Sequence, residues 1–162
     1  MDRVDLYSEI HKAQRLALFD LVSRAGSIAP DDETATADLV VSVTSMIEEL
    51  TRHATAEEEI VHPLLAVRDL RVLNKLHDAH VRIEGYLGRV ADDAAALERG
   101  DSPDALQDLY RSLSRFTAGY LFHIANEEDE GMPVLQAAYS DEQLSLTLSE
   151  FLRAHLHAMV LA

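Results

Sequence analysis

One motif occurs twice in this chain, and the interval between the copies is constant. HATAEEEIVHPLL runs from His53 to Leu65, and HIANEEDEGMPVL runs from His123 to Leu135. His53 and His123, Glu57 and Glu127, Glu58 and Glu128, Pro63 and Pro133, and Leu65 and Leu135 are each 70 positions apart. An interval held over so many positions is an internal repeat, not a run of solvating charge. Residues four apart on a helix share a face, so each copy offers an imidazole and a carboxylate to one point. Two such pairs facing each other predict a metal site.

The rest of the chain reads as helix. Apolar residues recur at steps of three and four, and the scarce Gly and Pro residues fall at breaks. The first helix is expected from about Val4 to Ala25, with Tyr7, His11, Leu18, Leu21 and Val22 on one stripe and Gly26 as its stop. The second begins near Asp32 and carries Leu39, Val43, Met46, Leu50, His53, Glu57, Ile60 and Leu64, until Pro63 kinks or ends it. A third, from about Asp69 to Glu98, turns Leu73, His77, His80, Ile83, Leu87 and Val90 inward and ends at Gly100. Ser102 and Pro103 read as the cap and first position of a fourth, whose stripe is Leu109, Leu113, Phe116, Tyr120, His123 and Glu127. Ser140 opens a shorter fifth helix towards the C-terminus. The expected fold is all-α, an up-down-up-down four-helix bundle over about 4–138 with a C-terminal helix over about 140–160, in one domain.

The repeat also selects ligands on the other two helices. His11 precedes His53 by 42 positions and His80 precedes His123 by 43, so His80 takes the place of His11. One half would supply His11, His53 and Glu57, and the other His80, His123 and Glu127. His77, three residues before His80 on the predicted inward face, is a candidate fifth histidine. A carboxylate aimed into a core is costly unless it is paired or metal-bound, and here it happens twice at matched depth. Glu58, Glu59, Glu128 and Asp129 read as solvated flanks, and Glu84 as exposed. His62, nine residues from His53, falls about 180° round an ideal helix and is left outside the site. His155 and His157 read as surface or packing residues. Tyr7 and Tyr120 share the inward faces, with aromatic packing as the first expectation and hydrogen bonding to ligands as the second.

Composition narrows the chemistry. With no Cys among 162 residues, thiolate zinc sites, iron-sulfur clusters and disulfides are excluded, which leaves His, Asp and Glu as ligands. A formal charge of -15 argues against nucleic acid as a partner. No apolar run approaches the length of a membrane span, and the acidic N-terminus does not resemble a leader, so a cytoplasmic protein is expected.

A helix-one histidine, HxxxEE followed by proline, a helix-three histidine and a second HxxxEE together resemble the hemerythrin-like (HHE cation-binding) family over about Leu6 to Leu135. The resemblance implies two non-haem iron ions, with an oxo or hydroxo bridge open to them and zinc or manganese as substitutes. It also implies bridging by Glu57 and Glu127, with His11 and His53 on one iron and His80 and His123 on the other. Oxygen-carrying members have two third-helix histidines four residues apart and a fourth-helix aspartate. This chain has His77 and His80 three apart, and Glu127. Two functions follow from different classes: binding of, or reaction with, a small diatomic or peroxide ligand, and a non-catalytic module that buffers or senses iron.

Overall fold

Asp5 fixes where the first helix begins. Its Oδ1 accepts from the backbone N–H groups of Tyr7 at 2.8 Å and Ser8 at 3.0 Å, so α1 spans Ser8–Ser27 and starts later than Val4. Gly26 does not stop it. A Cβ there would lie 3.0 Å from Tyr110 Cε2, so the glycine permits close approach of a neighbouring helix, and α1 ends at Ser27, just before the extended Ile28, instead. The computed structural model describes residues 3–29 and 31–156, with side chains to 154. His157 and the side chain of His155 lie outside the described residues.

Two further caps follow the sequence closely. Asp32 accepts from Ala35 N at 2.9 Å and opens α2 (Glu33–Ala56). Asp69 accepts from Arg71 N at 3.0 Å and Val72 N at 3.1 Å and opens α4 (Leu70–Arg99), after the short α3 (His62–Ala66). Gly100, at φ 69°, ends α4 in the left-handed conformation that glycine adopts without strain. The Ser102-Pro103 pair forms a turn ahead of α5 (Ala105–Asn126), not its first residues, because Ser102 O already accepts from Ala105 N at 3.2 Å. α6 (Met132–Ala138) and α7 (Asp141–Leu156) complete the chain.

The four long helices form the bundle: α1 packs on α2 and α5, and α4 packs on the same two. Among the described residues there is no strand, and no helix is long and apolar enough to cross a membrane. Two apolar clusters fill the interior. One contains Leu18, Leu39, Val43, Leu109, Leu113 and Phe116; the other contains Leu6, Val61, Leu65, Leu76, Leu135 and Phe151. The paired motifs lie along the chain between them.

Pro63 and Pro133 do not end the helices. Glu57–Val61 and Glu127–Gly131 are each a single wide π-turn, in which His62 N–H donates to Glu57 O and Met132 N–H to Glu127 O, five residues back. Helix resumes at once through Pro63 and Pro133 to Ala66 and Ala138. Such a turn inserts one residue into the helical repeat, so everything beyond it is displaced by one position. The inward stripe therefore continues through the fully buried Val61 and Leu65, and Ile60 and Leu64 are only partly buried.

α7 packs on α2, on the first π-turn and on α6. Its Phe151 is fully buried, with its ring 5.5 Å from that of His53. Phe151→Ala removes this wedge between helix and site, and we expect a loss of about 3–5 kcal/mol. A lower denaturant midpoint at unchanged slope would report it.

Candidate metal centre

Glu57 and Glu127 are the first residues of the two π-turns, and each follows a histidine on the last turn of an α-helix. That placement carries both carboxylates into the bundle, where each is about 1% exposed or less. His53 Nε2 lies 3.1 Å from Glu57 Oε1, and His123 Nε2 lies 3.1 Å from Glu127 Oε1. α1 contributes His11, whose Nε2 is 3.8 Å from Glu57 Oε1 and 3.5 Å from Glu127 Oε2. From α4 comes His80, whose Nε2 is 3.3 Å from both Glu57 Oε2 and Glu127 Oε1. Six of the seven predicted site residues thus meet. Candidate ligand atoms of His11, His53 and Glu57 form one group, and those of Glu57, His80, His123 and Glu127 a second, each within a 4.8 Å span.

These atoms satisfy one another only in part: His80 Nε2 and Glu127 Oε1 form a hydrogen bond at 3.3 Å. Among the described residues, His11 Nε2, both oxygens of Glu57 and Glu127 Oε2 are buried and make no hydrogen bond. Burial alone would raise the Glu57 carboxyl, but the imidazoles of His53, His11 and His80 outweigh it and hold the group well below its usual range. Burial likewise opposes charge on His80, yet Glu127 and Glu57 push it up to about 11. His53 is raised in the same way, against its burial, chiefly by Glu57. Glu57 is thus held as an anion beside two imidazoles that favour their charged form, whereas burial keeps the His123 imidazole below its ordinary range.

The second glutamate of each motif touches a ligand histidine, Glu128 while partly buried and Glu58 while still exposed. Glu128 Oε1 is 3.0 Å from His11 Nδ1, and Arg15 grips both its oxygens at 2.8 Å. Glu58 Oε1 is 3.1 Å from His80 Nδ1. Each histidine is therefore held from the outer nitrogen by a carboxylate of the other half, leaving Nε2 to face Glu57 and Glu127. Glu59, Asp129 and Glu84 are exposed, as expected.

His77 does not join the site. It is exposed and belongs to neither group, because the inward position one turn before His80 is taken by the fully buried Leu76. His62, left outside by the sequence reading, is buried instead. Its ring centroid is 4.9 Å from that of His80, and its Nε2 has no hydrogen-bond partner. The π-turn explains the difference: one inserted residue turns an offset of about 180° into one of about 80°. Burial, then the charge of His80, keeps His62 below its ordinary range and so neutral.

Tyr7 stacks on His11 with centroids 5.2 Å apart, and Tyr120 meets His123 edge-on at 5.9 Å. The Tyr120 hydroxyl donates to Gln14 Oε1 at 2.8 Å, and Gln14 Nε2 donates to Glu49 at 3.1 Å. Tyr7 thus packs, and Tyr120 both packs and ties α5 to α1. A cavity of about 160 Å³ between α2 and α4 reaches His53, Glu57, His80 and His123, with Glu58 and Glu84 also on its wall. A wider groove of about 930 Å³ lies by the α1–α2 and α4–α5 connections and touches none of these residues.

A four-helix bundle with a buried, cysteine-free cluster of imidazoles and carboxylates that can hold a metal ion defines a cation-binding helical protein. The family model for the hemerythrin HHE cation-binding domain matches residues 2–133, and the chain belongs to that family. No curated protein matches the chain significantly.

Proposed function

We propose that the chain is a non-haem di-iron protein that binds or reacts with a small oxidant such as oxygen, nitric oxide or peroxide. One observation carries the two-metal reading: each buried carboxylate divides its oxygens between the halves of the cluster. Glu57 turns Oε1 towards His53 and His11 and Oε2 towards His80, and Glu127 turns Oε2 towards His11 and Oε1 towards His80 and His123. His11 and His53 would hold one ion, His80 and His123 the other, with Glu57 and Glu127 spanning both. The buried oxygens of Glu57, Glu127 Oε2 and His11 Nε2, which make no hydrogen bond among the described residues, fit a cation of borderline hardness, and the nitrogen and oxygen donors suit iron without excluding zinc or manganese. Iron bound there would supply electron transfer to a small oxidant.

The chain's own residues select what reaches it. A cavity of about 160 Å³ admits a molecule of a few atoms and no organic substrate of cofactor size. Two acids on its wall, Glu58 and Glu84, favour neutral over anionic entrants. Tyr120 spends its hydroxyl proton on Gln14, so it is not a free donor to the cavity.

Anaerobic Fe(II) loading followed by separate additions of oxygen, nitric oxide and peroxide tests the reading by absorption. We expect about two irons per chain and a new absorption band or turnover with at least one oxidant. Two irons held in silence against all three would favour the buffering module. A well-folded chain that takes up no iron would sink both.

A further inference from the structure

We propose that the two metal positions are unequal: Glu128 and Arg15 lock the His11 side, whereas Glu58 leaves the His80 side open, so that these three residues set the order in which the ions exchange. The inference rests on the two-metal reading above.

The second glutamates of the repeat do the same task from opposite halves. With Nδ1–H donated to the carboxylate, each imidazole is fixed in the tautomer whose Nε2 is free for a metal. Glu128 performs this for His11, and Glu58 for His80, at nearly equal distances of 3.0 and 3.1 Å. What differs is the support behind them. Arg15 lies one turn after His11 on α1, on the same face, and its planar fork holds both oxygens of Glu128. The position one turn after His80 is Glu84, an acid on the same cavity wall as Glu58, which offers it no such fork. Glu128 has a side chain 23% exposed; that of Glu58 is 47% exposed. The cavity reaches ligands of both halves, His53 as well as His80 and His123, but of the two supporting glutamates only Glu58 lines it, and neither His11, Arg15 nor Glu128 does. A carboxylate clamped by a fork positions its histidine continuously. One that is exposed on a cavity wall shared with another acid lets its histidine swing and water compete.

Fe(II)-loaded protein mixed anaerobically with excess chromogenic chelator should release its metal in two phases of equal amplitude. Arg15→Ala and Glu128→Ala should speed the slow phase about ten- to hundredfold and leave the fast phase unchanged. Glu58→Ala should speed only the fast phase. Glu84→Arg, which supplies the missing cation, should slow the fast phase, and Glu128→Gln, which keeps an acceptor for His11 Nδ1–H, should recover part of the loss in Glu128→Ala. Native protein releasing both ions at one rate overturns the inference. So does acceleration of both phases alike by Arg15→Ala, the result of a merely structural contact. Native protein that never takes up a second iron instead overturns the two-metal reading itself, which the loading stoichiometry records before chelator is added.

Discussion

Glu57→Gln protein, loaded anaerobically with Fe(II), is expected to retain well under one iron per chain, against about two for the native chain. Among the described residues, Glu57 is common to both ligand groups, so its loss removes a donor from each at once. His11→Ala subtracts a donor from one group only and should lose about one iron. Gln keeps the shape of the buried side chain and removes its charge, which separates ligation from packing. Glu59→Gln, on the same π-turn but exposed, should bind like the native chain and serves as the control. Metal analysis after gel filtration, with circular dichroism to confirm helix, decides the matter. Two irons retained by folded Glu57→Gln would remove the carboxylate from the centre.

The ligand cluster was legible because a repeat of 70 positions is independent of how each helix is wound. His53, Glu57, His123 and Glu127 recur together whatever lies between them, and the near-equal steps back to His11 and His80 locate the remaining two. Helical phase was not legible across the motif. A period of 3.6 carried from His53 turns His62 outward and puts Ile60 and Leu64 inside. The π-turn buries His62 and leaves Ile60 and Leu64 only partly buried, and no turn residue announces it in EEEIV. His77 failed for a related reason: three residues from His80 is a step of about 300°, which falls at the edge of a stripe that Leu76, a full turn away, occupies. Glu58 and Glu128 are hard to single out because acids beside a site are usually solvated. Yet they share the 70-position interval, and a solvated flank has no reason to recur in register with the ligands. That signal was present in the sequence and points to their contacts with His80 and His11.

Iron-loaded protein should melt about 10 °C above the metal-free form at neutral pH, since free metal at about a thousand times its dissociation constant adds roughly 4 kcal/mol to a domain of this size. The gap should also widen as pH rises. In the metal-free fold His80 titrates at about 11, above its unfolded value of 6.5, so its contribution is complete below 6.5 and is lost as pH climbs through 11. Glu57 behaves oppositely: its pKa is depressed, so its contribution is present above 4.5 and is lost only as pH falls through the lower folded value. A metal requires His80 neutral, so loading at pH 7 displaces its proton, and each further pH unit favours the loaded form by about 1.4 kcal/mol per proton released. Below the raised pKa of His53 a second proton joins the count. Between pH 6 and 8 the separation of the two melting points should therefore grow by at least several degrees. Loading in weak buffer should acidify the solution by at least about one proton per chain. Coincident melting curves, or a gap that narrows as pH rises, would mean that no cation displaces a proton from these imidazoles.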